Sequence, residues 1–175
     1  MGMTQPVTDP HRRRLLMMGA ALGLAVPALR ALAPAAQAGA KPDYRNSPWR
    51  KLTDAQWRQR LPQPSFEVLR RSGTEYAGTS PLLNEHRKGT FVCLGCELPL
   101  FKSDWKYDSG TGWPSFFQAI DGNIAFSSDY ALGYERDEYH CAQCGGHQGH
   151  RFNDGPQPTG LRYCNNGVAL KFTPA

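Results

Sequence analysis

Phe91 to Cys96 reads "FVCLGC", and Tyr139 to Cys144 reads "YHCAQC". Each stretch carries a strand-forming run into a C-x-x-C turn, so two thiolates leave one tight bend. Gly95 in the first turn and Gly145 just after the second suit a backbone that curls around a bound atom. Two such knuckles make a closed tetrahedral site, with Cys93, Cys96, Cys141 and Cys144 as ligands to one zinc ion per chain. Forty-four residues separate the pairs, more than in a compact zinc ribbon. The metal would therefore clamp two distant hairpins and staple a small domain that is short of core. Its role is structural, because four thiolates leave no open position for a substrate. Two disulfides in an oxidising compartment, or a redox-active C-x-x-C, are the competing readings. Neither accounts for two such similar turns.

Working outward, short aromatic-rich runs lie between Gly, Asp, Asn and Pro: "TFVCLGC", "IAFSSDYALGYE", "YHCAQC", "HRFND" and "VALKF". Apolar residues at period two between turn residues predict strands. Ahead of them, "LTDAQWRQRL" places Thr53 and Gln56 at capping-box spacing, with Ala55, Trp57 and Leu61 available to a core. "PSFEVLRRSGTEYAG" predicts a second helical turn, ended by Ser72-Gly73. The expected fold class is mainly β, with short helices at the N-terminal end.

The 175 residues are expected to hold one domain, preceded by a leader. Arg12, Arg13 and Arg14 stand before the uncharged run Leu15 to Leu29, which closes on Ala36-Gln37-Ala38. That is the grammar of a cleavable export signal over residues 1–38. The apolar run is shorter than the ~18 residues of a membrane span, so no stable membrane association is expected after cleavage. The paired arginines favour the twin-arginine route and a bacterial periplasm over an ordinary signal. Residues 39–50 are read as a polar linker and 51–175 as the domain. The leader holds four of the 20 basic residues and one of the 15 acidic ones, leaving 16 against 14. Four zinc-bound thiolates would bring that balance to about zero. The basic total thus argues for no nucleic-acid partner.

Cys164 is the odd one of five cysteines. In "TGLRYCNNGVALKF" a strand would put Arg162, Cys164 and Asn166 on one face. "HQGHRFND" would put His150, Phe152 and Asp154 together, with His147 in the turn before. A guanidinium and an imidazolium beside the thiol would lower its pKa toward neutrality. The plainer alternatives are a buried apolar Cys, histidines bonded in a core, or histidines that bind metal. Trp113, on the Gly-rich loop "YDSGTGWPSFF", is either an apolar wall for a small ligand or a core plug.

Taken together, "GTEYAGTSP", "FVCLGCELPLFKSDWKYDSGTGWPSF" and "YHCAQCGGHQGHRFNDGPQPTGLRYCNNGVALKF" resemble the methionine-R-sulfoxide reductases. The resemblance runs from about Leu52 to Phe172. It implies two antiparallel sheets in a tent- or barrel-like fold, stapled by zinc on the four paired cysteines. It makes Cys164 the nucleophile that attacks the sulfoxide sulfur and becomes a sulfenic acid. It makes Trp113 the residue against the substrate methyl group, with Phe152 beside it. His150, assisted by His147, would protonate the departing oxygen, while Arg162, Asn166 and Asp154 complete the polar site. The implied partners are methionine sulfoxide, free or in oxidised proteins, and a thioredoxin-like or other thiol reductant, with the enzyme a monomer.

One departure from the family pattern is informative. Many members carry a resolving Cys where Thr111 stands here. With the other four cysteines assigned to zinc, Cys164 has no partner in its own chain, and an external thiol must reduce it. Gln148, Asn165 and Gly167 also occupy positions where the family more often shows other residues. The rival functions are a non-enzymatic zinc-knuckle binding module and a cysteine hydrolase using Cys164 and His150. The first leaves the Cys164 face unexplained, and the second lacks an evident oxyanion hole.

Overall fold

Thr53 caps the first helix as its spacing predicts. The Gln56 amide donates to Thr53 Oγ1 at 3.3 Å, and the Thr53 amide donates to Gln56 Oε1 at 2.8 Å. This computed structural model describes residues 42–175. The export signal and its twin-arginine route fall on residues 1–38, outside the described residues. Helix α1 spans Asp54–Arg60 and turns Trp57 into the core; Ala55, expected beside it, faces solvent. Pro62 stops α1 from continuing, and α2 spans Gln63–Arg71 with Phe66, Val68 and Leu69 buried. It ends at Ser72, whose φ of 53° is left-handed. Burial of each of these large apolar side chains contributes about 1.5–3 kcal/mol.

The strands are β1 (Gly89–Cys93), β2 (Pro99–Lys102), β3 (Lys106–Tyr107), β4 (Ser115–Phe116), β5 (Ile124–Asp129), β6 (Arg136–Cys141), β7 (His147–Phe152), β8 (Arg162–Asn165) and β9 (Leu170–Pro174). They form two antiparallel sheets, ordered β2-β1-β9 and β3-β4-β8-β7-β6-β5. The predicted runs are right in place but long. "IAFSSDYALGYE" is β5 followed by its turn, and "VALKF" begins as a 3-10 turn over Gly167–Ala169. His147 opens β7 itself instead of sitting in the turn before it.

Aromatic rings fill the core. Phe101 stacks on Phe116 at 4.2 Å, and Tyr139 meets Tyr163 edge-on at 5.5 Å. Residues 42–50 are packed, not a free tether. Trp49 stacks on Trp57 at 6.0 Å, Tyr44 Oη donates to Asn123 Oδ1, and Arg50 donates to the Ala142 carbonyl. Among the described residues no helix is long and apolar enough to cross a membrane.

Candidate active site

The four paired cysteines meet in one buried cluster, with all their sulfurs within 4.8 Å of one another. Cys93 Sγ lies 3.7 Å from Cys144 Sγ, and Cys96 Sγ lies 3.4 Å from Cys141 Sγ. Those separations exclude disulfides, whose sulfurs stand ~2 Å apart. They are close to the ~3.8 Å edge of a tetrahedron with metal–sulfur bonds of ~2.3 Å. The four residues can therefore hold one metal ion. Hydrogen bonds among the sulfurs, followed by burial, raise the Cys93 and Cys141 thiols, a penalty that a cation would reverse. Both knuckles are built alike. Glu97 and Gly145, each four residues past the first Cys of its pair, are left-handed and return their amides to the Cys93 and Cys141 carbonyls at 2.8 Å. The first knuckle thus bends at Glu97, while Gly95 packs against the Trp57 ring.

Cys164 stands on β8 between β4 and β7, opposite Ser115 on one side and His150 on the other. It opens on a pocket of about 140 Å³ lined by Thr74, Trp113, Arg136, Gly149, His150, Phe152, Asn165 and Asn166. A larger groove of about 630 Å³ lies across the Trp113 loop, among Glu85, Asp104, Lys106 and Asp108. No cysteine lines it; the smaller pocket is the one that holds Cys164. Trp113 is held by a 3.1 Å bond from Nε1 to the Glu75 carbonyl. The Glu75 carboxylate in turn accepts from the Gly167 and Val168 amides at 2.5 and 3.1 Å. Gly112, at φ 88°, leaves room for this arrangement: a Cβ there would meet Ala77 Cβ at 2.9 Å. "GTEYAG" is thus the seat on which the Trp113 loop rests, a role that no sequence pattern announced.

The thiol differs from its expectation. Burial pushes Cys164 above its ordinary pKa, and Arg162 and a hydrogen bond from the Thr111 hydroxyl oppose that rise without cancelling it. Cys164 is therefore a thiol, not a thiolate, when nothing is bound at neutral pH. Arg162 forks onto Asp154 at 2.8 Å with both arms and lies over the Phe152 ring at 4.3 Å. Asp154 is mostly exposed and outside the pocket, so it orients Arg162 and does not itself reach a ligand.

His150 Nε2 is 2.8 Å from Asp129 Oδ2, and Arg136 pairs with the same carboxylate oxygen. Bonds from the Ala131 amide, His150 and Arg136 hold Asp129 down to about 2 against its slight burial, so it is ionised. His147 lies behind His150, ring centroids 5.5 Å apart, and does not line the pocket. Burial drops His147 to about 4, although Glu138 works against the shift, so the ring is neutral at neutral pH. Its Nδ1 meets Glu138 Oε1 at 2.5 Å. Burial opposes the charge on Glu138, but His140, His147 and Ser72 more than offset it and keep it a carboxylate.

Two of the family departures, Gln148 and Asn165, connect the two centres. Gln148 Nε2 donates to Cys93 Sγ at 3.4 Å, and its Oε1 accepts from Asn165 Nδ2 at 3.4 Å. Tyr139 Oη donates to Asn165 Oδ1 at 2.7 Å. Asn166 is gripped by the Gln148 carbonyl at 3.0 Å and the Glu75 amide at 3.0 Å. Asp129, Arg136, Glu138 and Glu75 hold the candidate site residues without standing out in the sequence. Only the alternation of Arg136 and Glu138 on a strand leading to Cys141 could have signalled any of them.

A lone thiol in an apolar-walled pocket, an imidazole paired with a carboxylate, and a separate four-sulfur cluster are the features of an oxidoreductase site. The SelR domain model matches residues 61–174, and the chain belongs to that family, the methionine-R-sulfoxide reductases. It is 50% identical over 121 residues to the peptide methionine sulfoxide reductase MsrB of Leptospira interrogans, covering 69% of this chain and 92% of that one. It is 46% identical over 129 residues to the protein of the same name from Agrobacterium fabrum, covering 73% and 96%. The rice chloroplastic peptide methionine sulfoxide reductase B1 is 44% identical over 133 residues, covering 75% of this chain and 60% of that one.

Proposed function

We propose that the protein reduces the R epimer of methionine sulfoxide within polypeptides, through a Cys164 sulfenic acid that an external thiol regenerates. The observation that carries this reading is Cys164 itself, half-buried and facing His150 and Trp113, while every other cysteine lies in the buried cluster. Trp113 and Phe152 offer apolar walls for a methyl group and thioether. Asn166 and the imidazole of His150 offer donors for the sulfoxide oxygen. Cys164 starts as a thiol, so the reaction needs no net proton from solvent. Its sulfur attacks the sulfoxide sulfur as His150 lends a proton to the oxygen, and the thiol proton replaces it. In the adduct so formed the hydroxyl passes to the cysteine sulfur as both the S–O bond and the new S–S bond break, so Cys164 is left as S–OH and the substrate leaves as a thioether carrying the two electrons that the cysteine lost. Two external thiols then return Cys164 to the thiol, giving a disulfide and water.

Tyr130, Leu132 and Tyr134 are exposed on the turn between Asp129 and Arg136, beside the pocket. That apolar rim suits substrate residues flanking an oxidised methionine in an unfolded segment. Zinc is the ion that four buried thiolates favour. It would offset half of the cluster's four negative charges and hold β1 to β6, taking no part in the redox step. The leader over residues 1–38 supports export to a periplasm, where oxidised envelope proteins would be the substrates.

The test is turnover of separate R and S epimers with dithiothreitol, followed by mass spectrometry of the enzyme oxidised without thiol. Loss of R alone, with Cys164 found as sulfenic acid or a mixed disulfide, is expected, and Cys164→Ser should retain metal but not activity. Consumption of S alone, or a disulfide from Cys164 to another cysteine of the chain, overturns the proposal.

A further inference from the structure

The sheet assembles a second set of metal-ligating side chains, distinct from the four cysteines. Glu138 and His140 are two apart on β6 and so share a face. The register places Ser127 of β5 opposite Glu138, and a bulge between Tyr139 and His140 brings His147 of β7 opposite His140. The ligand atoms of Glu138, His140 and His147 all lie within 4.8 Å of one another. His140 Nε2 is 3.5 Å from Glu138 Oε2, close to the ~3.3 Å between neighbouring ligands of a tetrahedral ion with bonds of ~2.0–2.1 Å. Ser127 Oγ lies 2.9 Å from His140 Nε2 and 3.3 Å from Glu138 Oε2, where a hydroxyl or a water would complete the shell. The His147–Glu138 pair, 2.5 Å apart, must widen to admit an ion. His140 and Glu138 keep 22% and 13% of their side-chain surface, so an ion can enter from solvent without unfolding.

From this geometry we infer that Glu138, His140 and His147 form an inhibitory site for a divalent transition-metal ion. Two imidazoles and one carboxylate select borderline ions such as Zn²⁺, Co²⁺, Ni²⁺ and Cu²⁺ over Mg²⁺ and Ca²⁺. Occupancy acts on the reaction through His147. In the free protein its Nδ1–H faces the Glu138 carboxylate, which leaves Nε2 without a proton and without a partner. A metal on Nδ1 forces the proton to Nε2 and draws the ring toward β6, away from the position in which it packs against His150. The aligned acid of the proposed reduction is then lost, so this inference rests on that reading for its kinetic half only.

The binding half is tested with Co²⁺ added to metal-loaded Cys164→Ser protein, in which the nucleophile cannot serve as a ligand. One further equivalent should bind with a visible cobalt spectrum that lacks sulfur-to-metal charge transfer, and His140→Ala should abolish it. No uptake, or uptake unchanged in His140→Ala, overturns the site. The kinetic half uses reduced, desalted enzyme with Cys164 intact, in a single turnover without added thiol, since dithiothreitol chelates metals. Co²⁺ should slow methionine formation by about 100-fold or more, the lower end of what a positioned acid supplies. His140→Ala should react at the unmodified rate with or without cobalt. Binding without slowing refutes the inhibitory role. Absence of any reduction in metal-free buffer refutes the proposed function and leaves the cobalt-binding result standing.

Discussion

Gly149→Ala is the smallest change that should separate folding from chemistry. Gly149 sits on β7 next to His150 and pairs with Asn165 of β8, so it lies beside the His150–Cys164 cross-strand pair. A Cβ at this position would fall 1.9 Å from the Cys164 carbonyl oxygen and 3.0 Å from its carbonyl carbon. An ordinary carbon–oxygen contact is ~3.3 Å, so the two strands must part locally by about 1.4 Å. That strain costs about 1–3 kcal/mol, the usual range for one surplus methyl in a packed interior. The four-sulfur cluster does not include this pair, so bound metal and the overall fold should persist. Catalysis should suffer more, because a displacement of ~1 Å between nucleophile and acid costs on the order of 100-fold in rate. The measurements are metal content, a urea melt, and single-turnover formation of methionine from a sulfoxide peptide. Full metal, a melt lowered by at most ~3 kcal/mol and a rate down about 10- to 100-fold are expected. A variant that reduces sulfoxide at the original rate would refute the claim that β7 and β8 must touch at this point.

Three further outcomes follow from the same geometry. Arg162 lowers the Cys164 thiol against burial, so Arg162→Met should move the midpoint of iodoacetamide alkylation to higher pH; a downward move contradicts the placement of the guanidinium. His147 is lowered from 6.5 to about 4, so the folded state holds fewer protons on this ring than the unfolded state does below pH ~6.5. Its contribution is complete above that pH and falls as the solution is acidified, by about 2 kcal/mol between pH 7.5 and pH 5. Urea melts should show that slope in Cys164→Ser and a shallower one when His147→Gln is added. Finally, Cys141→Ser leaves three thiolates for the clamp between β1 and β6. It should release metal and abolish cooperative melting, since a structural metal contributes about 10 kcal/mol or more to small domains. An unchanged melt in chelator would show that the cluster does not carry the fold.

Much of this is legible in the sequence, and for local reasons. A C-x-x-C turn is a complete statement within four residues, so two of them specified a four-sulfur clamp. The capping box at Thr53 and Gln56 is equally local, and α1 begins where it predicts. Counting cysteines isolated Cys164, and the threonine at position 111 removed an internal partner for it. Strand alternation put Cys164 and Asn166 on the same side, where both reach the pocket.

What failed to show in the sequence depended on contacts between distant strands. The bulge between Tyr139 and His140 decides that His147 turns toward Glu138, and no alternation rule contains a bulge. The carboxylates that hold the two imidazoles, Asp129 and Glu138, come from β5 and β6, at sequence distances of 21 and 9 residues. Glu75 supports Trp113 from 38 residues away and the Gly167 turn from 92. The thiol pKa was misjudged because charge can be read from residue type, whereas desolvation cannot. Arg162 pulls Cys164 down as expected, but the closure of β4, β8 and β7 around the sulfur excludes enough water to outweigh it. Residue order alone was enough to pick out the two C-x-x-C pairs, the isolated Cys164 and the threonine at position 111, because each is a matter of residue type at short spacing. Only the tertiary structure decided which groups face the sulfur and how dry it is, because both are set by which strands close over it.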